Sequence, residues 1–292
     1  MLTTRQRLLL LTPLGLVLAP FLFWPAGFGL AASFTNYGPL QPDPHWVGLG
    51  NYATILGNQQ FRAAALNSAA FTLVTVAAEL AIGLALAYLL REPFAGRGLV
   101  QVALLLPWLV SPIANGVLWH FLFDQRTGLY SFLPALLGHA PLPSPLGLSG
   151  LAMPVLMAVD VWRMAPLATF LLAPGLAAIP PERWEQARLD GLSPFNRLRH
   201  VVLPSLAPLL ATVALLLIGD SLGAFDTVLI LTGGGPGTQT LTPGLFSYQQ
   251  AFQVNNWPAG ATSAWLIMAA MGVVGAIYVL ALHGRDGRRR DA

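Results

Sequence analysis

The sequence contains no cysteine and no lysine, and only 9% of its residues are charged. Without cysteine the chain forms no disulfide, holds no thiolate-bound metal and has no cysteine nucleophile. Without lysine it has no Gly-x-x-x-x-Gly-Lys loop, the motif that binds nucleotide phosphates. Soluble domains carry about 25% charged residues, so this chain has too few charges to cover a water-facing surface.

Apolar residues are abundant instead: they make up 55% of the 292 positions and give a mean hydropathy of +0.64. Because a transmembrane helix needs about 20 consecutive apolar residues, the weakly charged intervals predict an all-α membrane protein with one transmembrane domain, residues 1–292. The first apolar interval is too long for the core of a cleavable signal peptide. The six predicted spans are residues 8–33, 67–90, 98–123, 151–179, 208–231 and 258–282.

The arginines predict which side of the membrane each loop faces. Cytoplasmic loops are enriched in basic residues, and placing both chain termini in the cytoplasm puts 12 of the 15 arginines on that side. Arg62 and Arg126 then lie outside, and Arg163 lies within a span. The sequence therefore predicts that both termini are cytoplasmic.

Residues 180–207 form the one long polar connection on the predicted cytoplasmic side. Pro180-Pro181 suits the start of a helix, because proline at the first helical position loses no useful N–H. Asp190-Gly191 suits its end, because glycine readily adopts the left-handed conformation. Ser193-Pro194 then predicts the N-cap and first residue of a second short helix. We expect a helix–turn–helix that exposes Trp184 and several charges.

This connection resembles a known motif. Glu185-Gln186-Ala187-x-x-Asp190-Gly191, followed by Val201-x-Leu203-Pro204, is similar to the cytoplasmic "EAA" loop of binding-protein-dependent ABC importer permeases. Gln186, Leu192 and Val201 depart from the consensus of that family. The resemblance implies that the loop docks in a groove of a separate ATPase and couples ATP use to transport. The implied coupling residues are Trp184, Glu185, Ala187, Asp190, Gly191, Leu203 and Pro204.

Four further blocks resemble the carbohydrate-uptake branch of that family, the maltose and glycerol 3-phosphate type. They are Trp46–Tyr52, Gly96–Tyr130, Val161–Pro166 and Phe225–Pro236. The resemblance implies the type I, maltose-permease-like fold in a bacterial plasma (inner) membrane. It also implies a second homologous permease subunit, an ATPase homodimer that binds the ATP, an extracytoplasmic solute-binding protein and a sugar solute. Membrane lipid surrounds such a chain, and no cofactor, metal or nucleic acid is expected on it.

Charged side chains inside the predicted spans mark a candidate solute pathway, because each costs about 2.5–3.5 kcal/mol at the centre of a membrane helix. Asp160 and Arg163 are three residues apart and so lie on one helical face. They either line the pathway or form a structural ion pair, and both interpretations stay open here. Asp226 likewise either lines the pathway or has a structural role. By resemblance, the pathway residues on the fourth span are Asp160, Arg163, Met164 and Leu167.

The sequence thus predicts a transport subunit for a sugar, and not an enzyme. A permease for another solute, such as glycerol 3-phosphate, is the alternative. An intramembrane metalloprotease needs His-Glu-x-x-His and a serine hydrolase needs Gly-x-Ser-x-Gly, and the sequence contains neither motif. We therefore expect no catalytic residue.

Overall fold

The computed structural model describes residues 4–39, 43–140 and 142–290. These residues form α-helices connected by turns, with short π-helical segments at Leu198–Val202 and Gln249–Gln253 and a 3-10 turn at Pro145–Gly147. The α-helices are α1 (Thr4–Ser33), α2 (Gly50–Gly57), α3 (Gln59–Leu89), α4 (Arg97–Leu109), α5 (Pro112–Leu122), α6 (Leu129–Leu136), α7 (Ala152–Ala177), α8 (Pro181–Leu189), α9 (Pro194–Arg197), α10 (Leu203–Leu222), α11 (Asp226–Leu231), α12 (Pro243–Tyr248) and α13 (Trp257–Arg290).

Several helices are long and apolar enough to cross a membrane. In the described part of the chain there are four of them, and the bent pair α4–α5 makes a fifth if it counts as one span. Helix α1 contributes a shorter apolar stretch, Val17–Ser33. The four long spans are Gln59–Leu89, Ala152–Ala177, Pro194–Leu222 and Trp257–Leu280. The helical membrane architecture is therefore confirmed, whereas the number of six spans stays a prediction.

The third predicted span, residues 98–123, is not one straight helix. Its two parts, α4 and α5, meet at an angle of 96°. Proline disfavours the helical conformation of the residue before it, and Ser111 before Pro112 accordingly has a ψ of 149°. The Ser111 hydroxyl accepts a hydrogen bond from the Ala114 amide at 3.3 Å. A capped helix therefore begins at Pro112 in a new direction.

The fifth predicted span, residues 208–231, also differs from the structure. The helix α10 begins earlier, at Leu203, and ends at Leu222. Gly223 follows as the C-cap, and Phe225 has a non-helical backbone with φ of −135° and ψ of −55° before α11 begins. Glycine is a poor helix former. Hydropathy does not locate this break, because α10 and α11 are both apolar apart from Asp220 and Asp226, which flank it.

The chain divides into two compact units, and the first comprises Met1–Arg62 and Phe246–Ala269. In this unit a side-chain amide holds the end of α1. Asn51 Nδ2 donates hydrogen bonds of 2.8 Å to the carbonyl oxygens of Ser33 and Thr35. These bonds satisfy carbonyls that the helix end leaves without an intrahelical donor.

The second unit comprises Ala63–Leu245 and Ala270–Ala292 and contains a hydrophobic core. The core fixes α7 against α10, and a Cβ on Gly175 of α7 would overlap the side chain of Leu209 on α10. A side chain at position 175 would therefore require Leu209 to move. The buried core residues are Val76, Leu84, Ala87, Met164, Ala168, Leu172, Leu176, Ile179, Val202, Leu206, Val213 and Leu217.

Candidate functional site

Helices α8 and α9 form the helix–turn–helix that the sequence predicts, and we call residues 181–197 the α8–α9 hairpin. Gly191 has a φ of +66°, and its amide donates to the Arg188 carbonyl at 3.0 Å. The Leu192 amide donates to the Ala187 carbonyl at 3.1 Å. Together these two bonds form the Schellman motif, in which a left-handed glycine ends a helix. The prediction that Asp190-Gly191 ends this helix is confirmed, because α8 ends at Leu189 with Asp190 as its C-cap.

The second helix of the hairpin also starts where the sequence predicts. The Ser193 hydroxyl accepts a hydrogen bond from the Asn196 amide at 3.3 Å, as an N-cap does. A further bond attaches the hairpin to the following helix: Arg183 Nη1 donates to Ser205 Oγ on α10 at 3.0 Å. The hairpin is therefore a defined structure fixed to α10.

The predicted coupling residues differ in exposure. The exposed ones are Glu185, Asp190, Gly191, Leu203 and Pro204. Ala187 is only 2% exposed and packs inside the hairpin. Five of the seven residues are therefore accessible to a partner protein.

Trp184 is half-buried, which corrects the expectation that the hairpin exposes it. The Arg91 guanidinium carbon lies 3.8 Å from the centroid of the Trp184 ring, and the Tyr88 ring centroid lies at 6.2 Å. A cation over an aromatic face is attracted by the ring quadrupole. Trp184 therefore holds α8 against the end of α3.

Two apolar side chains of the hairpin, which are not among the predicted coupling residues, are strongly exposed. Leu189 is 88% exposed and Phe195 is 69% exposed. Neither residue belongs to the motif that the sequence predicts, although a leucine and a phenylalanine within a polar segment are a visible signal. Both side chains are accessible to another protein.

A polar cavity of about 80 Å³ lies in the second unit, where the helix breaks between α10 and α11. It brings together three of the predicted pathway residues, Asp160, Arg163 and Asp226. Leu156, Asp160 and Arg163 are spaced by four and three residues along α7, which places them on one helical face. The full lining is Phe71, Pro112, Leu156, Asp160, Arg163, Asp220, Gly223, Ala224, Phe225, Asp226, Thr227 and Val228.

Met164 and Leu167, the other two predicted pathway residues of α7, do not line this cavity. Met164 is 4% exposed and belongs to the hydrophobic core, and Leu167 packs against the same core. Met164 follows Arg163 by one residue and therefore points about 100° away from it around the helix. The cavity thus contains two of the four residues expected on α7.

Arg163 contacts two carboxylates that lie on different helices. Its Nη2 lies 3.3 Å from Asp160 Oδ1 on α7 and 2.8 Å from Asp220 Oδ2 on α10. The sequence predicts the first contact from the spacing of the two residues. It does not predict the second, because Asp220 is 57 residues away and its only signal was a charge inside an apolar segment. Arg163 therefore links α7 to α10 at the cavity.

Glu79 on α3 adds another acid to this group. It is 1% exposed and interacts electrostatically with Asp160, Asp220 and Arg163. Among the described residues, Glu79 Oε1, Asp160 Oδ2 and Arg163 Nε are buried with no hydrogen-bond partner. These unpaired atoms have almost no accessible surface, so they add uncompensated polarity beside the cavity. No three His, Asp or Glu side chains in residues 4–39, 43–140 and 142–290 are grouped in a way that could hold a metal ion.

Comparison with known proteins identifies relatives over most of the chain. The chain is 33% identical over 240 residues to the trehalose/maltose transport system permease protein MalF of Thermococcus litoralis, covering 82% of this chain and 81% of that one. It is 29% identical over 277 residues to the trehalose transport system permease protein SugA of Mycobacterium tuberculosis, covering 94% and 88%.

A solved structure shows the same fold. A chain of a bacterial ABC transporter involved in the import of the acidic polysaccharide alginate superimposes with a TM-score of 0.78 at 20% identity, covering 96% of this chain and 95% of that one. Residues 79–286 match the family described as "binding-protein-dependent transport system inner membrane component". This region includes α7, the α8–α9 hairpin and α10. The chain therefore belongs to the family of binding-protein-dependent transport system inner membrane components, which are transport subunits and not enzymes.

Proposed function

We propose that this chain is a permease subunit of an ATP-driven sugar importer and forms part of its solute pathway. The observation that carries the proposal is the charged cavity among apolar helices, because such groups are retained in membrane spans where they face a pathway or one another. The relatives named for trehalose and maltose support a sugar as the solute. Hydroxyl groups of a sugar both donate and accept hydrogen bonds, so they match carboxylates and a guanidinium.

The size of the cavity bears on how much of a solute this chain contacts. Ligand pockets for small molecules have volumes of about 300–1,000 Å³, whereas this cavity has about 80 Å³. It is large enough for part of a sugar. We therefore infer that a second, homologous permease subunit supplies the remainder of the pathway and that an extracytoplasmic solute-binding protein delivers the sugar.

We further infer that the α8–α9 hairpin docks on a partner ATPase. The exposed side chains of Leu189 and Phe195 supply an apolar contact, and the neighbouring carboxylates of Glu185 and Asp190 supply polar ones. An ATPase homodimer binds the ATP in this arrangement. Trp184 acts indirectly, because its contact with Arg91 holds α8 in place.

The arginine distribution supports a location in the bacterial plasma membrane with both termini in the cytoplasm. On this orientation the hairpin faces the cytoplasm, where ATP is available, and the loops after α1, α5 and α11 face outwards. The positive-inside rule thereby places the proposed ATPase contact on the side that the function requires.

Uptake measurements on variants test whether the charged group lies on the solute pathway. We expect Asp160→Asn and Arg163→Gln to reduce sugar uptake in complexes that still assemble and still hydrolyse ATP with loaded binding protein. Asp43→Asn, which changes an exposed aspartate outside the cavity, serves as the matched control. If both variants transport normally, or fail to assemble, the ion pair is structural and the proposed pathway is wrong.

A further inference from the structure

The charges that line the polar cavity are strongly unequal. Asp160, Asp220 and Asp226 line it together with a single cation, Arg163. Glu79, which interacts with the same group, adds no positive charge. An entering solute therefore meets three carboxylic acid side chains and one guanidinium.

The guanidinium is already committed to two of those acids. Arg163 lies 2.8 Å from Asp220 and 3.3 Å from Asp160, and it is only 8% exposed. Both contacts are made by Nη2, and Nε is buried out of reach of a solute. An anionic solute that binds Nη2 would have to displace a carboxylate, which would then lie unpaired in a low-dielectric region. Leaving a buried charge without its partner is strongly unfavourable. Arg163 is therefore unsuited to binding a phosphate or a sugar acid.

The acids, in contrast, have capacity for donors. The side chain of Asp220 is 39% exposed, and Asp226 is half-buried at the other side of the helix break. An ionised carboxylate accepts hydrogen bonds only. It therefore suits hydroxyl and ammonium groups, and it repels a phosphate or a second carboxylate at short range.

We propose that this cavity selects solutes by charge, admitting neutral and cationic carbohydrates and rejecting anionic ones such as phosphorylated sugars. This inference rests on the proposed function in sugar import. It separates the chain from importers of acidic solutes that share its fold. Asp220 and Asp226 are the residues that determine this specificity, and Arg163 acts by holding Asp160 and Asp220 in place.

Direct solute binding tests this selectivity in the complex of both permease subunits with the ATPase dimer, reconstituted in nanodiscs and trapped with ATP and vanadate. The solute-binding protein is omitted, so that its own preference does not decide the result. The probes are trehalose, the cationic 2-amino-2-deoxytrehalose and the anionic trehalose 6-phosphate. We expect trehalose 6-phosphate to bind at least about tenfold more weakly than trehalose, since its phosphate adds a charge of about −1.5 to −2 that the carboxylates repel at short range.

Two variants identify the residues responsible. We expect Asp226→Asn, which leaves both ion pairs of Arg163 intact, to reduce the ratio of trehalose to trehalose 6-phosphate affinity several-fold. Asp220→Asn should reduce it further, because it also releases Arg163 to bind the phosphate. Asp43→Asn, outside the cavity, should leave the ratio unchanged.

The outcomes distinguish this proposal from the one on which it rests. If trehalose and trehalose 6-phosphate bind the unaltered complex equally well, charge selection is wrong and sugar import stands. The same conclusion follows if neither cavity variant changes the affinity ratio. If none of the three carbohydrates binds to a complex that hydrolyses ATP, both proposals are wrong.

Discussion

Gly191 has a backbone conformation that other residues adopt with difficulty. Its φ is +66°, and a Cβ added to it would meet no atom within 4 Å. A substitution there therefore causes no steric clash. It destabilises the hairpin because the left-handed backbone conformation costs an L-residue about 1–2 kcal/mol. We expect Gly191→Val to insert in the membrane but to lose coupling between ATP hydrolysis and uptake, measured on purified complexes in proteoliposomes.

Asparagine provides a matched control at the same position, because it tolerates the left-handed conformation better than valine. We expect Gly191→Asn to retain most of the coupled uptake. Normal transport by Gly191→Val at a normal expression level would show that the hairpin does not couple the chain to an ATPase. Equal loss in both variants would indicate that a side chain at this position obstructs the partner instead.

Asp124, in the loop after α5, stabilises a turn through hydrogen bonds that depend on the ionisation of its carboxyl group. One of its carboxylate oxygens accepts hydrogen bonds from the Thr127 amide at 2.8 Å, the Thr127 hydroxyl at 2.9 Å and the Arg126 amide at 2.9 Å. The bonds from Thr127, followed by that from Arg126, hold the pKa of Asp124 below its ordinary value. Because the folded-state pKa is lowered, the stabilisation is complete above about pH 4 and is lost as the pH falls below that value.

We therefore expect amide hydrogen exchange in residues 125–128 to stay protected down to about pH 4, after correction for intrinsic rates, and to accelerate below it. Asp124→Asn is the control, because its side-chain oxygen still accepts a hydrogen bond but does not titrate. This variant should show no such acceleration. Acceleration of equal size in both proteins would contradict the role of Asp124.

At the level of helices, Arg163 joins α7 to α10 through two carboxylates of different burial. The side chain of Asp160 is 5% exposed and that of Asp220 is 39% exposed. Removing one partner of a buried ion pair costs about 3–5 kcal/mol, because it leaves an uncompensated charge. We expect Arg163→Gln to lower the thermal unfolding temperature of the purified chain more than Asp220→Asn does.

The double variant Arg163→Gln/Asp160→Asn tests the reason for that loss. It removes the cation together with its more buried carboxylate, so we expect it to regain part of the stability that Arg163→Gln loses. Additive losses in the double variant would mean that the two side chains do not depend on each other. The ion pair would then contribute little to the packing of α7 against α10.

The parts of the structure that the sequence predicted are those determined by neighbouring residues. Pro181, Gly191 and Ser193 mark helix ends through their own backbone preferences and capping bonds, and the structure confirms all three. The contact between Arg163 and Asp220 depends instead on how α7 packs against α10. The break at Gly223 lies between two apolar helices, and the charges of Asp220 and Asp226 beside it do not by themselves distinguish a break from a continuous span.

In the molecule as a whole, one pair of helices connects the charged cavity to the α8–α9 hairpin. α7 carries Asp160 and Arg163 and leads into α8, and α10 carries Asp220 and follows the hairpin. Buried residues of α7 and α10 belong to one hydrophobic cluster, and packed interiors transmit displacement instead of absorbing it. A movement of the hairpin by a bound partner would therefore displace both sides of the Arg163 ion pairs together.

The orientation of the chain can be determined with reporter fusions. The arginine distribution predicts cytoplasmic reporters after residues 95, 195 and 290 and external reporters near residues 50, 135 and 245. The fusion after residue 195 lies in the hairpin. An external signal there would contradict both the orientation and the proposed contact with an ATPase.

Two of these fusions also determine the number of spans. The 96° bend between α4 and α5 allows either a broken span or a re-entrant loop. A re-entrant loop would place residues 95 and 135 on the same side, whereas we expect them on opposite sides.

A reporter fused before α1 tests whether the first span crosses the membrane, because α1 contains Pro13, Pro20 and Pro25. We expect that reporter in the cytoplasm with residue 50 outside, because α1 then crosses the membrane. An external reporter at both positions would reduce the count to five.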